Sequence, residues 1–286
     1  MSSWLHFVIE TGSRATKPLV LKFGGELLEE PERLRLVVTA IRDIAASTPL
    51  AVIHGCGREI DAALKAAGIE KRQVEGLRIT DEPTLTVVVS VLAGTVNTRL
   101  VAALTAAGVA AAGLTGADGA CGLSEPAPAH RTLDGRVVDL GRVGVPAAGA
   151  DTRLVRTLLE HGFVPVIASI GVARDGRLFN VNADGFAGSL AARLGARRLV
   201  IAGTTAGVLG VDGATVPLLD PATIAELMAD GTATAGMIAK LHACQDALAN
   251  GVDDVVIVDG RDPRALAATA GATVPAGATR IIAERI

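Results

Sequence analysis

An α/β fold, with helices packed on a parallel sheet, is what this sequence predicts, and three observations predict it. Half of its 286 residues are hydrophobic but only 2% are aromatic, so Ala, Val and Leu must build the core. The apolar run Pro18-Leu19-Val20-Leu21 ends in Lys22-Phe23-Gly24-Gly25-Glu26, a buried strand leading into a glycine pair. A second run, Leu50 to Ile53, passes through His54-Gly55-Cys56-Gly57 into a helix-spaced segment. By length the chain is one large domain or two lobes.

Gly24 and Gly25 let the backbone turn with positive φ and approach a ligand closely. A lysine at the end of such a strand is a point charge suited to phosphate oxygens. A plain βα turn with a solvated lysine fits the same residues. Pro31 suits the first turn of a helix, and Leu34, Val37, Val38, Ile41, Ile44 and Ala45 continue with helical spacing. After Leu50 to Ile53, the Gly55-Cys56-Gly57 loop opens a helix from Arg58 to Ala67. That order points backbone N–H groups and a positive helix end at an anion, although glycine geometry alone also explains it. Arg78, within Gln73 to Thr80, is either a bidentate carboxylate clamp or a surface arginine. Thr84 to Ala107 reads as a long helix interrupted near Gly94, and Val109 to Leu114 as a strand. Cys121 to Gly149, rich in Gly, Pro and charge, reads as short hairpins at the edge of the core, without chemistry.

Asp151 is placed to cap a helix to Glu160, Phe163 to Ala168 is a buried strand, and Asp175-Gly176 is a hairpin turn. In Asn180-Val181-Asn182-Ala183-Asp184, alternation puts Asn180, Asn182 and Asp184 on one face. Asp184 either serves a site there or simply caps the small-residue helix Gly185 to Leu194. Arg198 to Ala202 is the next strand, Gly203 to Val208 its loop, and Asp220-Pro221 starts a capped helix to Ala229. Met237, Leu241, Cys244 and Leu248 form a core stripe on the helix that follows. Lys240 lies off that stripe in the first turns, where a cation opposes the helix dipole and hints at a bound anion. Val255 to Val258 and Thr279 to Ile282 complete the strands.

Composition also excludes several classes. Lys+Arg 27 against Asp+Glu 30 leaves a net charge of -3, and no basic run or basic–aromatic interleaving appears, so no nucleic-acid partner is expected. The three cysteines lack a CxxC pair and the five histidines lack metal-ligand spacing, which points to a reducing compartment and no protein-held metal. Met1 to Thr16 has an apolar patch, Trp4 to Ile9, without a basic flank or cleavage site, so it is not a signal peptide. Leu85 to Val96 is too short and too polar for a membrane span. A soluble, cytoplasmic protein is the expectation, and no membrane partner.

With these pieces in hand, the chain resembles the amino-acid-kinase family over roughly Leu19 to Ile282. Lys22-Phe23-Gly24-Gly25, His54-Gly55-Cys56-Gly57, Gly76-Leu77-Arg78-Ile79-Thr80, Asn180-Val181-Asn182-Ala183-Asp184, Gly236-Met237-Ile238-Ala239-Lys240 and Gly277-Ala278-Thr279-Arg280-Ile281 carry the likeness. The first piece is shared with aspartokinases. The Asn-Val-Asn-Ala-Asp piece, with Gly-Leu-Arg-Ile-Thr upstream, is specific to the branch that acts on acetylated glutamate.

The resemblance implies a three-layer αβα sandwich with an open, mainly parallel sheet. It also implies an N-terminal extension (1–17), a lobe for the acyl amino acid (18–195) and a lobe for ATP (196–286). Its implied reaction is ATP-dependent phosphorylation of the side-chain carboxylate of N-acetyl-L-glutamate, a step of arginine biosynthesis. Lys22 and Lys240 would stabilise the transferring phosphoryl group and Asp184 would orient both. Gly25, Cys56 and Gly57 would line the phosphate side of the substrate site, and Arg78 and Asn180 would hold the substrate's carboxylate and acetamido groups. Thr204, Thr205, Gly207, Val208, Leu209, Thr232 and Thr234 would line the nucleotide pocket, with Mg2+ held mainly by ATP phosphates. A carboxylate acceptor is already ionised near pH 7, so the lack of a histidine cluster or Ser/His/Asp arrangement suits this chemistry.

Three positions depart from the family pattern. Cys56 replaces a glycine, Thr204 an aspartate, and Ala235 a glycine or polar residue. Cys56, beside a helix N-terminus, Arg58 and the lysines, is expected to be an acidified, reactive thiol. Rival readings are a sister kinase for N-acetyl-aminoadipate or a carrier-linked amino acid, and a non-catalytic regulatory homologue. The joint presence of Lys22, Asp184 and Lys240 disfavours the second, and the absence of a G-x-G-x-x-G run disfavours a nicotinamide-binding protein. Family members inhibited by arginine carry a longer N-terminal helix, so a homodimer insensitive to arginine is expected.

Overall fold

The computed structural model describes residues 17–132, 134–229 and 235–283. Most of the expected N-terminal extension, residues 1–16, lies outside the described residues, and so does the reading of its apolar patch. The chain opens with Leu19–Phe23 (β1), all five residues buried. The 3-10 turn Gly25–Leu27 leads to Pro31–Ala45 (α1), whose stripe Val37, Val38, Ala40, Ile41 and Ile44 is buried. Leu50–His54 (β2) and Gly57–Ala66 (α2) follow. Gln73–Val74 (β3) and Leu77–Arg78 (β4) make a small antiparallel hairpin.

Asp81 accepts the Thr84 N–H at 3.0 Å and caps Glu82–Val89 (α3). A π-helical segment, Ser90–Val96, joins it to Asn97–Ala106 (α4). The break expected near Gly94 is thus absorbed as a wider turn of one continuous helix. Residues 82–106 are long and apolar enough to cross a membrane by length and composition. Here Val88, Leu92, Val96, Leu100 and Leu104 form a one-sided stripe packed into the protein core.

Ala111–Thr115 (β5), Ser124–Pro126 (β6), His130–Arg131 (β7), Val137–Val138 (β8) and Val143–Pro146 (β9) come next. Thr152, not Asp151, occupies the N-cap of Arg153–Glu160 (α5), and Asp151 instead accepts the Arg153 N–H at 2.9 Å. Then come Val164–Ala168 (β10), Ile170–Val172 (β11) and Leu178–Val181 (β12). β11 and β12 turn back on each other through Asp175-Gly176, where Gly176 has φ 85, as the hairpin reading expects. The segment read as edge hairpins is more than that. β7 and β8 do pair locally, but β6 and β9 join a four-stranded sheet of order β11-β12-β9-β6.

The last third holds Ala183–Leu194 (α6), Arg198–Gly203 (β13), Leu218–Leu219 (β14), Pro221–Ala229 (α7), Ala235–Ala249 (α8), Asp254–Asp259 (β15), Pro263–Ala268 (α9) and Thr279–Ile281 (β16). The main sheet runs β14-β16-β15-β13-β1-β2-β10-β5. Every neighbouring pair in it is parallel except β15 with β16. Helices cover both faces, which gives the open, mainly parallel αβα sandwich.

Alternation along β1 sorts its side chains between two cores. Leu19, Leu21 and Phe23 join the cluster that includes α1, α4 and α9, and Val20 joins the one under α6 and α8. Lys22 shares the face of Val20 and therefore points toward α6.

Candidate active site

Strands β1, β2 and β13 end level with one another. Lys22 is in register with Ile53 on one side and Ile201 on the other. The Gly24 N–H donates to the Ala202 carbonyl and the Gly55 N–H to the Phe23 carbonyl, each at 3.3 Å. Gly24, Gly55 and Gly203 consequently stand side by side at the carboxyl end of the sheet. The chain leaves β1 for β2 on one side and returns at β13 on the other, and such a switch point in strand order is where open α/β sheets form their binding crevice.

Lys22 Nζ lies 2.9 Å from Asp184 Oδ1, with side chains only 10% and 15% exposed. Asp184 is free for this pair because Asn182 is the helix cap, accepting the N–H groups of Asp184 (2.9 Å) and Gly185 (3.3 Å). The strand stops at Val181, so the period-two face proposed for Asn180, Asn182 and Asp184 does not persist beyond it. Asn182 is exposed, whereas Asp184 turns inward in the first turn of α6. Burial alone would raise the Asp184 pKa, but Lys22 and then Lys240 outweigh it and hold the carboxyl below its usual range.

Lys240 arrives on α8, which packs closely on α6 because Gly188 has no side chain. A β-carbon there would lie 3.2 Å from the Ala243 carbonyl oxygen and 3.4 Å from Ala247 Cβ. The expected core stripe is present, with Leu241, Cys244 and Leu248 buried and Met237 packed at its edge. Lys240 lies beside it, its pKa lowered by burial and by the Lys22 charge. Two ammonium groups and the Asp184 carboxylate therefore converge at the strand ends.

Gly25 packs directly on Cys56, since an added β-carbon would come within 2.6 Å of the Cys56 Cα. Gly57 opens α2, so its N–H is one of the four without an intrahelical acceptor. Cys56 itself overturns one expectation. It is 3% exposed, and burial pushes its thiol up to about 12, with Glu59 and Glu29 as its charged neighbours. Arg58 points to solvent and meets Glu29 at 3.6 Å. Cys56 is a buried thiol held in its protonated form.

Arg78 is not a surface arginine, for its side chain is only 14% exposed. Nη2 donates to Asp61 Oδ1 at 2.5 Å and to the Gly57 carbonyl at 3.4 Å, while Nη1 is buried and has no partner among the described residues. Asn180 Nδ2 donates to Thr80 Oγ1 at 3.2 Å, two residues from Arg78 along the chain. On the other side of β1, Gly207 has φ 68, and a side chain there would strike Thr279. The Val208 N–H donates to Thr279 Oγ1 at 2.8 Å, which pins the loop that carries Thr204, Thr205 and the exposed Leu209. Thr232 and Thr234 lie outside the described residues.

Asp61, Thr80 and Glu26 were missed at the level of sequence. Only Glu26 left a signal there, an acid directly after the Gly-Gly pair. His54 is fully buried and burial drives it down to about 4, so it is a neutral core group and not a base. Among the described residues no three His, Cys, Asp or Glu side chains converge on a point that would hold a metal ion.

Fold and site together define an αβα protein of the amino acid kinase family. That family matches residues 17–259, and the chain belongs to it. Acetylglutamate kinase from Novosphingobium aromaticivorans is 42% identical over 265 residues, 88% of this chain and 86% of that protein. The acetylglutamate kinase of Rhizorhabdus wittichii is 40% identical over 264 residues, covering 88% and 85%. Among solved structures, N-acetylglutamate synthase from Neisseria gonorrhoeae, complexed with coenzyme A and N-acetyl-glutamate, matches with a TM-score of 0.80 at 26% identity. That match covers 94% of this chain and 60% of the synthase, so this chain spans less than two thirds of it.

Proposed function

We propose that this chain transfers the γ-phosphoryl group of ATP to the side-chain carboxylate of N-acetyl-L-glutamate, giving an acyl phosphate for arginine biosynthesis. One observation carries the reading: Lys22, Asp184 and Lys240 converge between two glycine loops at the switch point of the sheet. A module that only binds has no use for two part-buried lysines around one buried carboxylate.

Phosphoryl transfer to an ionised carboxylate needs positioning and charge stabilisation more than proton transfer. Lys22 and Lys240 would take the charge on the transferring oxygens, and Asp184 would keep both ammonium groups in place. Backbone N–H groups at Gly25 and Gly57 would face the same oxygens, past the buried Cys56. The unpartnered Nη1 edge of Arg78 is the donor we assign to the substrate's carboxylate, and Asn180 to its acetamido group. Thr204, Thr205, Gly207, Val208 and Leu209 would border ATP. On this reading the acyl amino acid lies in the 18–195 lobe and ATP in the 196–286 lobe, and the protein is a cytoplasmic homodimer.

Magnesium is the divalent ion assigned with ATP, and it would neutralise phosphate charge. The side chains suit an ion held mainly by the nucleotide, because Asp184 is already engaged by Lys22 and, among the described residues, no carboxylate cluster stands beside it. A coupled ADP-release assay tests the function across N-acetylglutamate, N-acetyl-aminoadipate, glutamate and aspartate. Turnover should be confined to N-acetylglutamate. A preference for N-acetyl-aminoadipate would replace the substrate, and equal silence on all four with ATP still bound would overturn the kinase.

A further inference from the structure

Glu26 sits in the 3-10 turn Gly25–Leu27, four residues after Lys22. Its carboxylate folds back over Gly24, where a β-carbon would collide with both carboxylate oxygens. On its other side it approaches Gly203, the last residue of β13. A β-carbon on Gly203 would lie 4.0 Å from Glu26 Oε1 and 3.6 Å from Lys240 Nζ. One glycine therefore separates this carboxylate from the Lys240 ammonium.

The Glu26 carboxylate is half-buried, and among the described residues no side chain bonds to it; Arg33 reaches only its backbone carbonyl. Lys240 likewise has no ion pair within 4.0 Å among the described residues, and the nearer hold on Asp184 belongs to Lys22 at 2.9 Å. Four charged or titratable groups face the Lys240 ammonium: Lys22 from β1, Asp184 from α6, Cys244 from its own helix and Glu26 from the turn. Burial and Lys22 disfavour its charge, whereas Asp184, Cys244 and Glu26 favour it. Two ammonium groups sharing one carboxylate repel each other, and a second carboxylate reaching Lys240 across Gly203 offsets that repulsion.

We propose that Glu26 is a positioning residue of the phosphoryl-transfer centre, holding the Lys240 ammonium on the Gly203 side so that both lysines reach one transferring group. This rests on the assignment of Lys240 to the reaction. It extends the site by a residue that touches no reacting atom.

The test is Glu26→Gln, with the ionisation of Lys240 followed by NMR of protein labelled with 13C-lysine. The chain has only five lysines, and Lys240→Met assigns the signal. The Lys240 titration should move to lower pH, with the deprotonated fraction at a fixed pH below the midpoint rising about fivefold. Turnover should fall about tenfold with KM for ATP changed less than about threefold, and Glu26→Asp should recover part of both. A Lys240 curve that stays put in Glu26→Gln overturns the inference, even if magnesium dependence changes, which would make Glu26 a metal-side group instead. A curve that moves in a protein without kinase activity on any acceptor supports the contact and counts against the kinase reading alone.

Discussion

Lys22 Nζ and Asp184 Oδ1, on residues 162 positions apart in sequence, stand 2.9 Å apart and tie the central strand to the first turn of α6. Two local rules produce the pair. The two-residue period of β1 turns Lys22 to the α6 face. Asn182 takes the capping role, which leaves the Asp184 carboxylate to face inward. Everything assigned to catalysis is arranged around this contact.

Removing that carboxylate should damage both activity and stability. Asp184→Asn is expected to lower kcat by about a hundredfold or more, since two lysines lose their common anchor. Breaking a buried pair from one side costs roughly 3–5 kcal/mol. The folded pKa of Asp184 is depressed from 3.8, so its contribution is present above that value and lost as pH falls through the folded pKa. Urea unfolding of wild type and variant should differ at pH 7 and converge below about pH 4. A constant gap across that range would remove Asp184 from the pair's energetics.

Arg78→Lys tests the substrate side. A lysine cannot reproduce a planar fork that grips Asp61 with one nitrogen and leaves the other for a ligand. KM for the acyl amino acid should rise about 10- to 100-fold while KM for ATP stays within about threefold. Initial-rate kinetics with each substrate varied decide it, and an unchanged amino-acid KM would make Arg78 a scaffold group.

Much of this was legible because the informative residues are local. Lys22 and its glycine pair declare the strand end, and Lys240 shows itself as a cation off the stripe of Met237, Leu241, Cys244 and Leu248. What the chain could not reveal is long-range. Nothing in residues 121–149 announces that β6 and β9 pair with the later strands β11 and β12. The alternating Asn180-Asn182-Asp184 pattern misled because a strand becomes a helix inside it, and periodicity carries no marker of that boundary. Burial reverses the expectation for Cys56, with Glu59 and Glu29 adding to it, and only folding supplies that burial.

Gly188 should matter to a reaction it never touches. Its missing side chain lets α8 approach α6, and Lys240 depends on that approach. Gly188→Val would press on the Ala243 carbonyl and Ala247, displacing α8 from the site. A displacement near 1 Å is enough to cost about a hundredfold in rate. The variant is expected to lose kcat by about 10- to 100-fold while circular dichroism still reports a folded α/β protein. Wild-type turnover in a folded Gly188→Val protein would show that the α6–α8 spacing does not set Lys240.

The final prediction concerns the thiols. Cys56 sits at the start of α2, a position that normally favours a thiolate. Burial wins here, raising its pKa from 9.0 to about 12, while the neighbouring carboxylates of Glu59 and Glu29 push the same way. Cys121 is raised to about 12 as well, and Cys244, fully buried on α8, is also raised. At pH 8 a thiol with a pKa near 12 holds about a thousandth of the thiolate of an ordinary one. Native protein treated with iodoacetamide at that pH should therefore modify Cys56 about a thousandfold more slowly than protein in urea. Mass spectrometry of the peptide containing Cys56 reads both rates. Comparable rates in the two states would restore Cys56 as an accessible, activated residue beside the phosphate path, and would mean that Gly25 does not cover it.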